Sequence, residues 1–259
     1  MLEVRDQPHG AFRYLTFGCR QTWVETLLAK GGSVPDSLGP KQLVALHCYL
    51  RDAGLVGDVG DVLSTTGQLL RLALESHSTA TWKVIWTNWS LGSALFSWWA
   101  TVPCGEYTRD RCLVLLADRL HVSTDRSIRD ALAALVATLR QTPVGGALGQ
   151  GLVVRSGRSW RILKTGSDLP VSWWALYSIA MLSPTTGAVI SRDSNNHSRI
   201  AQVLGVDDRV VATALESLWQ PDLCSISREG EDLVHLHLMP GVTPEIVLQR
   251  WIREEQGGS

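Results

Sequence analysis

The sequence lacks the short motifs that identify the common classes of enzyme active site. It contains no phosphate-binding loop, no GxGxxG turn after a strand, no HExxH helix and no GxSxG elbow. Its five cysteines are an odd number and include no CxxC pair, which is typical of reduced thiols in a cytoplasmic protein. We therefore expect a cytoplasmic protein with no enzymatic activity, no bound metal and no cofactor.

A few histidines and cysteines are the strongest exceptions to this expectation. His235 and His237 alternate along a predicted strand and so share one face, where Cys224 or His197 could complete a zinc site. Without a paired-ligand motif, an exposed strand face is the better interpretation. Cys104 could be an exposed thiol, but no base adjacent in the sequence would activate it.

The tryptophan-rich stretch over residues 80–100 is the most apolar part of the chain. Residues 84–104 carry no charge and are long enough to cross a bilayer, but their tryptophans are not confined to the two ends. Trp82, Trp86 and Trp89 fall on one face of a helix. We predict a single buried helix over residues 80–100, rather than a membrane span or a surface that stacks unpaired bases.

One pattern of elements occurs three times along the chain. In each unit a short helix and a tight turn precede a further helix, which is called the third helix of that unit. The third helices begin near Pro40, Thr124 and Asp207, at spacings of 84 and 83 residues. A predicted hairpin follows each of them, as in a winged helix-turn-helix. We predict an α+β fold, predominantly α, of tandem winged helix-turn-helix-like units with small β-hairpin wings. The predicted domains are residues 1–78, 79–166 and 167–259.

Charge distinguishes the three predicted units, although the net charge of the chain is only −1. Residues 1–105 contain eight basic and eight acidic side chains and are neutral. Residues 106–164 contain ten Lys and Arg but five Asp and Glu, a net charge of +5, whereas residues 165–259 contain six and twelve, a net charge of −6. A basic middle segment indicates contact with an anionic partner such as nucleic acid.

The middle unit carries the predicted DNA-binding residues. In a winged helix the third helix enters the major groove and the wing lies along the backbone, where Arg and Lys contact guanine and phosphate. Arg109 and Arg111 lie near by on the preceding helix. The alternative is a solvated face on which Asp125 and Asp130 pair locally with arginines. The predicted contacts are Ser123, Arg126 and Arg129 on the third helix and Arg155, Arg158, Arg161 and Lys164 on the wing.

The first unit is a weaker candidate for DNA binding. Lys41 and Arg51 are available on its third helix, but Asp52, Asp58 and Asp61 oppose them. A structural or dimerising module fits this unit equally well, so a homodimer remains an open alternative.

The third unit is the least suited to DNA. Its third helix starts with Asp207 and Asp208, which suit a helix N-terminus but repel phosphate. We interpret the unit as a protein-contact module, with Trp173 and Trp174 as a candidate exposed anchor.

Several segments of the chain resemble a known bacterial family. They are HGAF at 9–12, LRDAGLV at 50–56, TTGQLL at 65–70, the tryptophan-rich residues 81–89, FSWW at 96–99, YTRD at 107–110, residues 124–139 and LGQGLV at 148–153. The family has no assigned function and is encoded beside phosphoadenosine-phosphosulfate-reductase-like proteins in DNA phosphorothioate modification and phage-defence gene clusters.

This resemblance implies a function for the chain without supplying catalytic residues. It implies an accessory role in a DNA phosphorothioate modification or restriction (anti-phage) system, and the basic middle unit adds the expectation of a DNA-binding accessory or regulatory protein. Its expected partners are duplex DNA, plain or phosphorothioated, and a phosphoadenosine-phosphosulfate-reductase-like or nuclease protein. The alternative is a non-catalytic protein-interaction scaffold for a sulfur-transfer enzyme or nuclease of the same system.

Overall fold

The computed structural model is mainly helical, which confirms the predicted α+β class with predominant α. It describes residues 13–34, 37–57, 62–74, 78–119, 124–157, 159–182, 189–190, 195–217, 220–229 and 233–257. The chain divides into two compact units, Met1–Ser167 and Asp168–Ser259. The division falls within one residue of the predicted boundary at 166/167. The predicted boundary at residue 78, in contrast, lies inside the first compact unit.

The first compact unit combines seven described helices with one described antiparallel sheet. Its sheet has the strand order β1-β3-β2. Its elements are α1 (Gln21–Ala29), α2 (Pro40–Asp52), α3 (Thr65–Ala73), α4 (Ser78–Gly92), α5 (Ala94–Thr101), β1 (Gly105–Thr108), α6 (Arg109–Arg119), α7 (Asp125–Gln141), β2 (Leu152–Ser156) and β3 (Ser159–Lys164).

The helix starts predicted near Pro40 and Thr124 are confirmed, and three helices of this unit begin at residues with a local reason to start a helix. Pro40 is the first residue of α2, where its missing N–H costs nothing. The Ser64 hydroxyl caps α3 by accepting the N–H of Gly67 at 3.0 Å. Thr124 caps α7 by accepting the N–H of Ser127 at 3.3 Å.

The prediction of one tryptophan-rich helix over residues 80–100 is wrong, because the backbone breaks at Ser93. This residue is extended, with φ −112° and ψ 128°, and it separates α4 from α5. The hydroxyls of Tyr14 and Ser93 lie 2.8 Å apart and form a hydrogen bond, which satisfies a polar group inside the core.

The tryptophans of α4 and α5 are core residues, as predicted. Trp82, Trp86, Trp89 and Trp99 are completely buried, and Trp89 stacks on Phe96 with ring centroids 4.9 Å apart. They therefore have no exposed face on which unpaired bases could stack. Among the described helices, none combines the length and apolar character that a membrane crossing requires.

Hydrogen bonds across the core explain why residues 1–78 and 79–166 form one unit. The indole N–H of Trp89 donates to the carbonyl of Tyr49 at 2.9 Å. The hydroxyl of Tyr49 donates to the carbonyl of Phe17 at 3.0 Å and lies 3.1 Å from the Thr138 hydroxyl. The side chain of Asn88 donates to the carbonyl of Ala53 at 2.7 Å. These buried bonds connect α2, α4 and α7 within the first compact unit.

The hairpin that was predicted after α2 is reduced to a single β-bridge. Val56 pairs with Leu63. The described residues between α2 and α3 form no β-strand beyond this bridge. Asp58 and Asp61 lie outside the described residues.

The second compact unit repeats the order helix, strand, two helices and hairpin. Its sheet has the strand order β4-β6-β5. Trp174 is completely buried and Trp173 only partly exposed, so this pair does not form the predicted exposed anchor. The elements are α8 (Ser172–Leu182), β4 (Val189–Ile190), α9 (Asn195–Leu204), α10 (Asp208–Glu216), β5 (Cys224–Glu229), β6 (Leu233–Leu238) and α11 (Pro244–Gly257).

Candidate nucleic-acid interface

One face of α7 is basic and exposed. Ile128, Leu135 and Leu139 are buried in the core of the first compact unit, so residues on the opposite side of the helix face solvent. Arg126 and Arg129 are both exposed on that side. The structure thus places these two predicted residues on a common surface, as the spacing of three residues indicated.

The charge of this face is largely uncompensated. Arg126 lies 3.9 Å from Asp130, but its side chain is 89% exposed, and such surface pairs contribute little. Among the residues that the structure describes, no ion pair involves Arg129, Arg140 or Arg155. The alternative prediction was a solvated face on which arginines pair with nearby carboxylates. Among the described residues, only the weak Arg126–Asp130 pair supports it.

A cavity of about 450 Å³ lies between α6, α7 and β3. Arg109 comes from α6, Arg129 and Arg140 come from α7, and Ser159 and Trp160 come from β3. The cavity is therefore lined by cationic groups of two helices and by an aromatic ring of the hairpin. The apolar residues lining it are Leu113, Leu132, Ala133, Val136 and Ala137.

The hairpin separates its arginines between the two faces of the sheet. Arg155 is paired directly opposite Trp160, and residues that are directly opposite each other share a face. Arg161 faces the other side, where its guanidinium donates to the Glu106 carboxylate at 2.6 Å. Of these two wing arginines, Arg155 thus lies on the same sheet face as the cavity and Arg161 on the reverse face.

Lys164 does not belong to the exposed basic surface, which corrects its predicted role as a DNA contact. Its side chain is 3% exposed, and its ammonium donates to the carbonyls of Trp99 and Ala100 at 2.9 Å and of Val102 at 2.6 Å. All three ammonium donors are therefore used at the C-terminal end of α5. Burial lowers the pKa of Lys164 to about 8.

The remaining predicted DNA contacts lie away from the cavity or outside the described residues. Lys41 and Arg51 are exposed on α2, which is not among the described elements that line the cavity. The carboxylate of Asp52 accepts from Arg13 and from the hydroxyl of Tyr14, so Asp52 has cationic and polar partners of its own. Ser123 and Arg158 lie outside the described residues.

Arg140 and Trp160 are the cavity residues that the sequence interpretation missed. Arg140 follows Arg129 by eleven residues, which is close to three helical turns, so a longer helical projection would have placed it on the same face. Trp160 shares its strand face with the buried Ile162, and alternation along β3 would have identified that face.

The described part of the chain contains no group of three or more His, Cys, Asp or Glu side chains that could hold a metal ion. Cys224 is buried, and burial raises its pKa. His237 is partly buried, and the side chains of His197 and His235 are outside the described part. Cys104 is exposed.

Two solved structures share this fold. The SspB crystal structure matches with a TM-score of 0.63 and 15% sequence identity, over 94% of this chain and 86% of SspB. The magnesium ion-bound SspB crystal structure matches with a TM-score of 0.59 and 16% identity over the same shares. Comparisons with protein-family models and with curated proteins found no match. At such low identity the structural likeness shows the fold alone.

Proposed function

We propose that the protein is a non-catalytic, DNA-binding accessory or regulatory component of a DNA phosphorothioate modification or restriction system. The observation that carries the proposal is the exposed and largely unpaired basic surface formed by Arg126, Arg129 and Arg155. Guanidinium groups on a helix and a neighbouring hairpin suit the phosphates and guanine edges of a duplex. The link to phosphorothioate systems is supported by the resemblance of residues 9–155 to the family encoded in those gene clusters.

We propose further that α5 to β3 form a winged helix. The order helix, strand, two helices and hairpin supports this interpretation, as does the sheet order β1-β3-β2. In that arrangement α7 is the helix that enters the major groove, and the β2–β3 hairpin is the wing that follows the backbone.

Binding to duplex DNA should fall steeply as salt increases. If Arg126, Arg129 and Arg155 each contact a phosphate, the slope of log K against log salt is expected to be about −3. The measurement is fluorescence anisotropy with a labelled duplex between low and high salt. Matched plain and phosphorothioated duplexes test the sulfur link in the same series.

Each outcome of that series has a defined meaning. Absence of saturable duplex binding at low salt would contradict the proposal. Equal affinity for both duplexes would support DNA binding and would show that the protein does not distinguish the modified phosphate. Tighter binding of the phosphorothioated duplex would support both parts of the proposal.

The non-catalytic part of the proposal predicts that DNA is left intact. One of the two structural relatives is described as magnesium ion-bound, so the assay is incubation of supercoiled plasmid with the protein and Mg²⁺. The expected result is unchanged plasmid on a gel. Nicked or linear product that disappears with a chelator would show that the protein is a nuclease.

A protein-interaction scaffold is the second candidate, and it now rests on the acidic charge of the second compact unit. Exposed carboxylates such as Asp207, Glu216 and Asp222 favour it, while the burial of Trp174 removes its expected apolar anchor. The test is a pull-down with a phosphoadenosine-phosphosulfate-reductase-like protein or nuclease encoded beside it. Failure to capture either one with the second unit present would count against this candidate.

A further inference from the structure

The cavity between α6, α7 and β3 has an apolar strip between its cationic groups. Arg129 and Arg140 are separated by eleven residues, which places their Cα atoms about 16 Å apart along the helix axis. Ala133 and Ala137 lie between them on the same wall and are at least partly exposed. Gly18 packs against Ala137, whereas Ala133 is exposed and small, so a ligand can approach the helix closely at Ala133, between the two guanidinium groups.

The phosphate backbone of an intact duplex does not account for this strip. Phosphates are matched by arginines, but an alanine surface offers them neither charge nor hydrogen bonds. The cavity instead combines cations at the ends of the strip with apolar contact area in the middle. That combination fits a ligand with a flat, weakly polar body and an anion at each side.

The indole ring of Trp160 indicates which class of ligand the cavity fits. It lines the cavity and is partly exposed, whereas the next two residues on its strand face, Ile162 and Lys164, are buried. An indole beside guanidinium groups is the chemistry with which proteins stack unpaired bases while binding their phosphates. The volume of about 450 Å³ is within the range of small-ligand sites.

We infer that this cavity binds one unpaired nucleotide of a DNA strand. The flanking phosphates contact Arg129 and Arg140, with Arg109 on the facing helix, and the base packs against Trp160 and the alanine strip. The inference rests on the proposed function in taking nucleic acid as the ligand, but it does not require that duplex DNA bind to the same surface.

The test compares a labelled single-stranded thymidine hexamer with a blunt-ended duplex in anisotropy titrations of the full chain. Trp160→Leu and Arg140→Gln should each weaken hexamer binding about tenfold, as expected for loss of one stacked base or one phosphate contact. Trp160→Leu should bind the duplex within about twofold of the parent, because the stacking contact is specific to an unpaired base.

Matched controls come from the second compact unit. Arg209→Gln removes an exposed arginine and Trp173→Leu removes a partly exposed tryptophan, and both should bind the hexamer like the parent. Thermal unfolding of every variant verifies that a loss of binding is not a loss of fold.

Four results would distinguish failure of this inference from failure of the proposed function. Hexamer binding that is unchanged by Trp160→Leu overturns the inference, as does equal weakening of duplex and hexamer by that variant. If the hexamer binds and the duplex does not, the inference is supported and the proposed duplex binding is contradicted. If an acidic peptide with a central leucine binds in a Trp160-dependent way and the hexamer does not, the ligand is a protein segment and the inference is wrong.

Discussion

Reversing the charge of Arg126, Arg129 and Arg155 together should reduce affinity for duplex DNA by roughly 100- to 1000-fold at moderate salt, because each lost phosphate or base contact costs about 1–3 kcal/mol and the losses are not fully additive. The three side chains are exposed, so their replacement by glutamate should leave the fold intact. The measurement is duplex binding across a salt series, in which the slope of log K should flatten by about 3.

The control for this experiment carries the same change in net charge at a different place. Arg71, Arg209 and Arg253 are exposed arginines outside α7 and the β2–β3 hairpin. Their joint replacement by glutamate tests whether affinity depends on overall charge or on the basic surface. If both triple variants lose affinity equally, the attraction is general and the α7 surface is not a binding site. If neither variant loses affinity, DNA binding by this surface is ruled out.

The features that sequence could predict are those that depend on near neighbours in the chain. Pro40, Ser64 and Thr124 mark helix starts because their capping interactions reach no further than three residues. The β2–β3 hairpin follows from a short turn between two alternating segments. The exposure of Arg126 and Arg129 follows from the apolar period of α7.

Features that depend on distant partners were not predictable in the same way. The break at Ser93 coincides with a hydrogen bond between the Ser93 and Tyr14 side chains, 79 residues apart, although the Gly92-Ser93 pair is also a local signal for a helix break. The strand β1 has four residues and pairs with β3, more than fifty residues later. Because β1 was missed, Glu106 could not be identified as the partner of Arg161. The sequence therefore placed Arg161 with the other wing arginines, although it lies on the reverse face.

Lys164 shows how a charged residue can be assigned the wrong role when only its type is considered. Alternation along β3 places Lys164 on the same face as the buried Ile162, so an inward orientation was available from the sequence. The sequence did not show that the C-terminal end of α5 lies beside the Lys164 ammonium and offers it three carbonyl acceptors. A lysine is favoured at such a helix end because it satisfies these carbonyls and complements the helix dipole.

Replacing Lys164 by methionine should destabilise the protein by about 2–4 kcal/mol near pH 7, because three buried carbonyls lose a charged hydrogen-bond donor. Methionine keeps most of the apolar stem, so the change isolates the ammonium. The measurement is the midpoint of denaturant unfolding. Arg161→Met is the matched control on the same strand, and it should cost less than about 1 kcal/mol because its ion pair with Glu106 is exposed.

The destabilisation should also depend on pH in a direction set by burial. Burial lowers the pKa of Lys164 to about 8 in the folded protein, with the nearby Cys104 opposing this shift, whereas an unfolded lysine has a pKa of about 10.4. Between these values the unfolded chain binds more protons than the folded one, so stability rises with pH. The difference between the parent and Lys164→Met should therefore increase between pH 8 and pH 10, by at most about 3 kcal/mol. A difference that shrinks over this interval would mean that the folded protein favours the charged ammonium over the neutral amine.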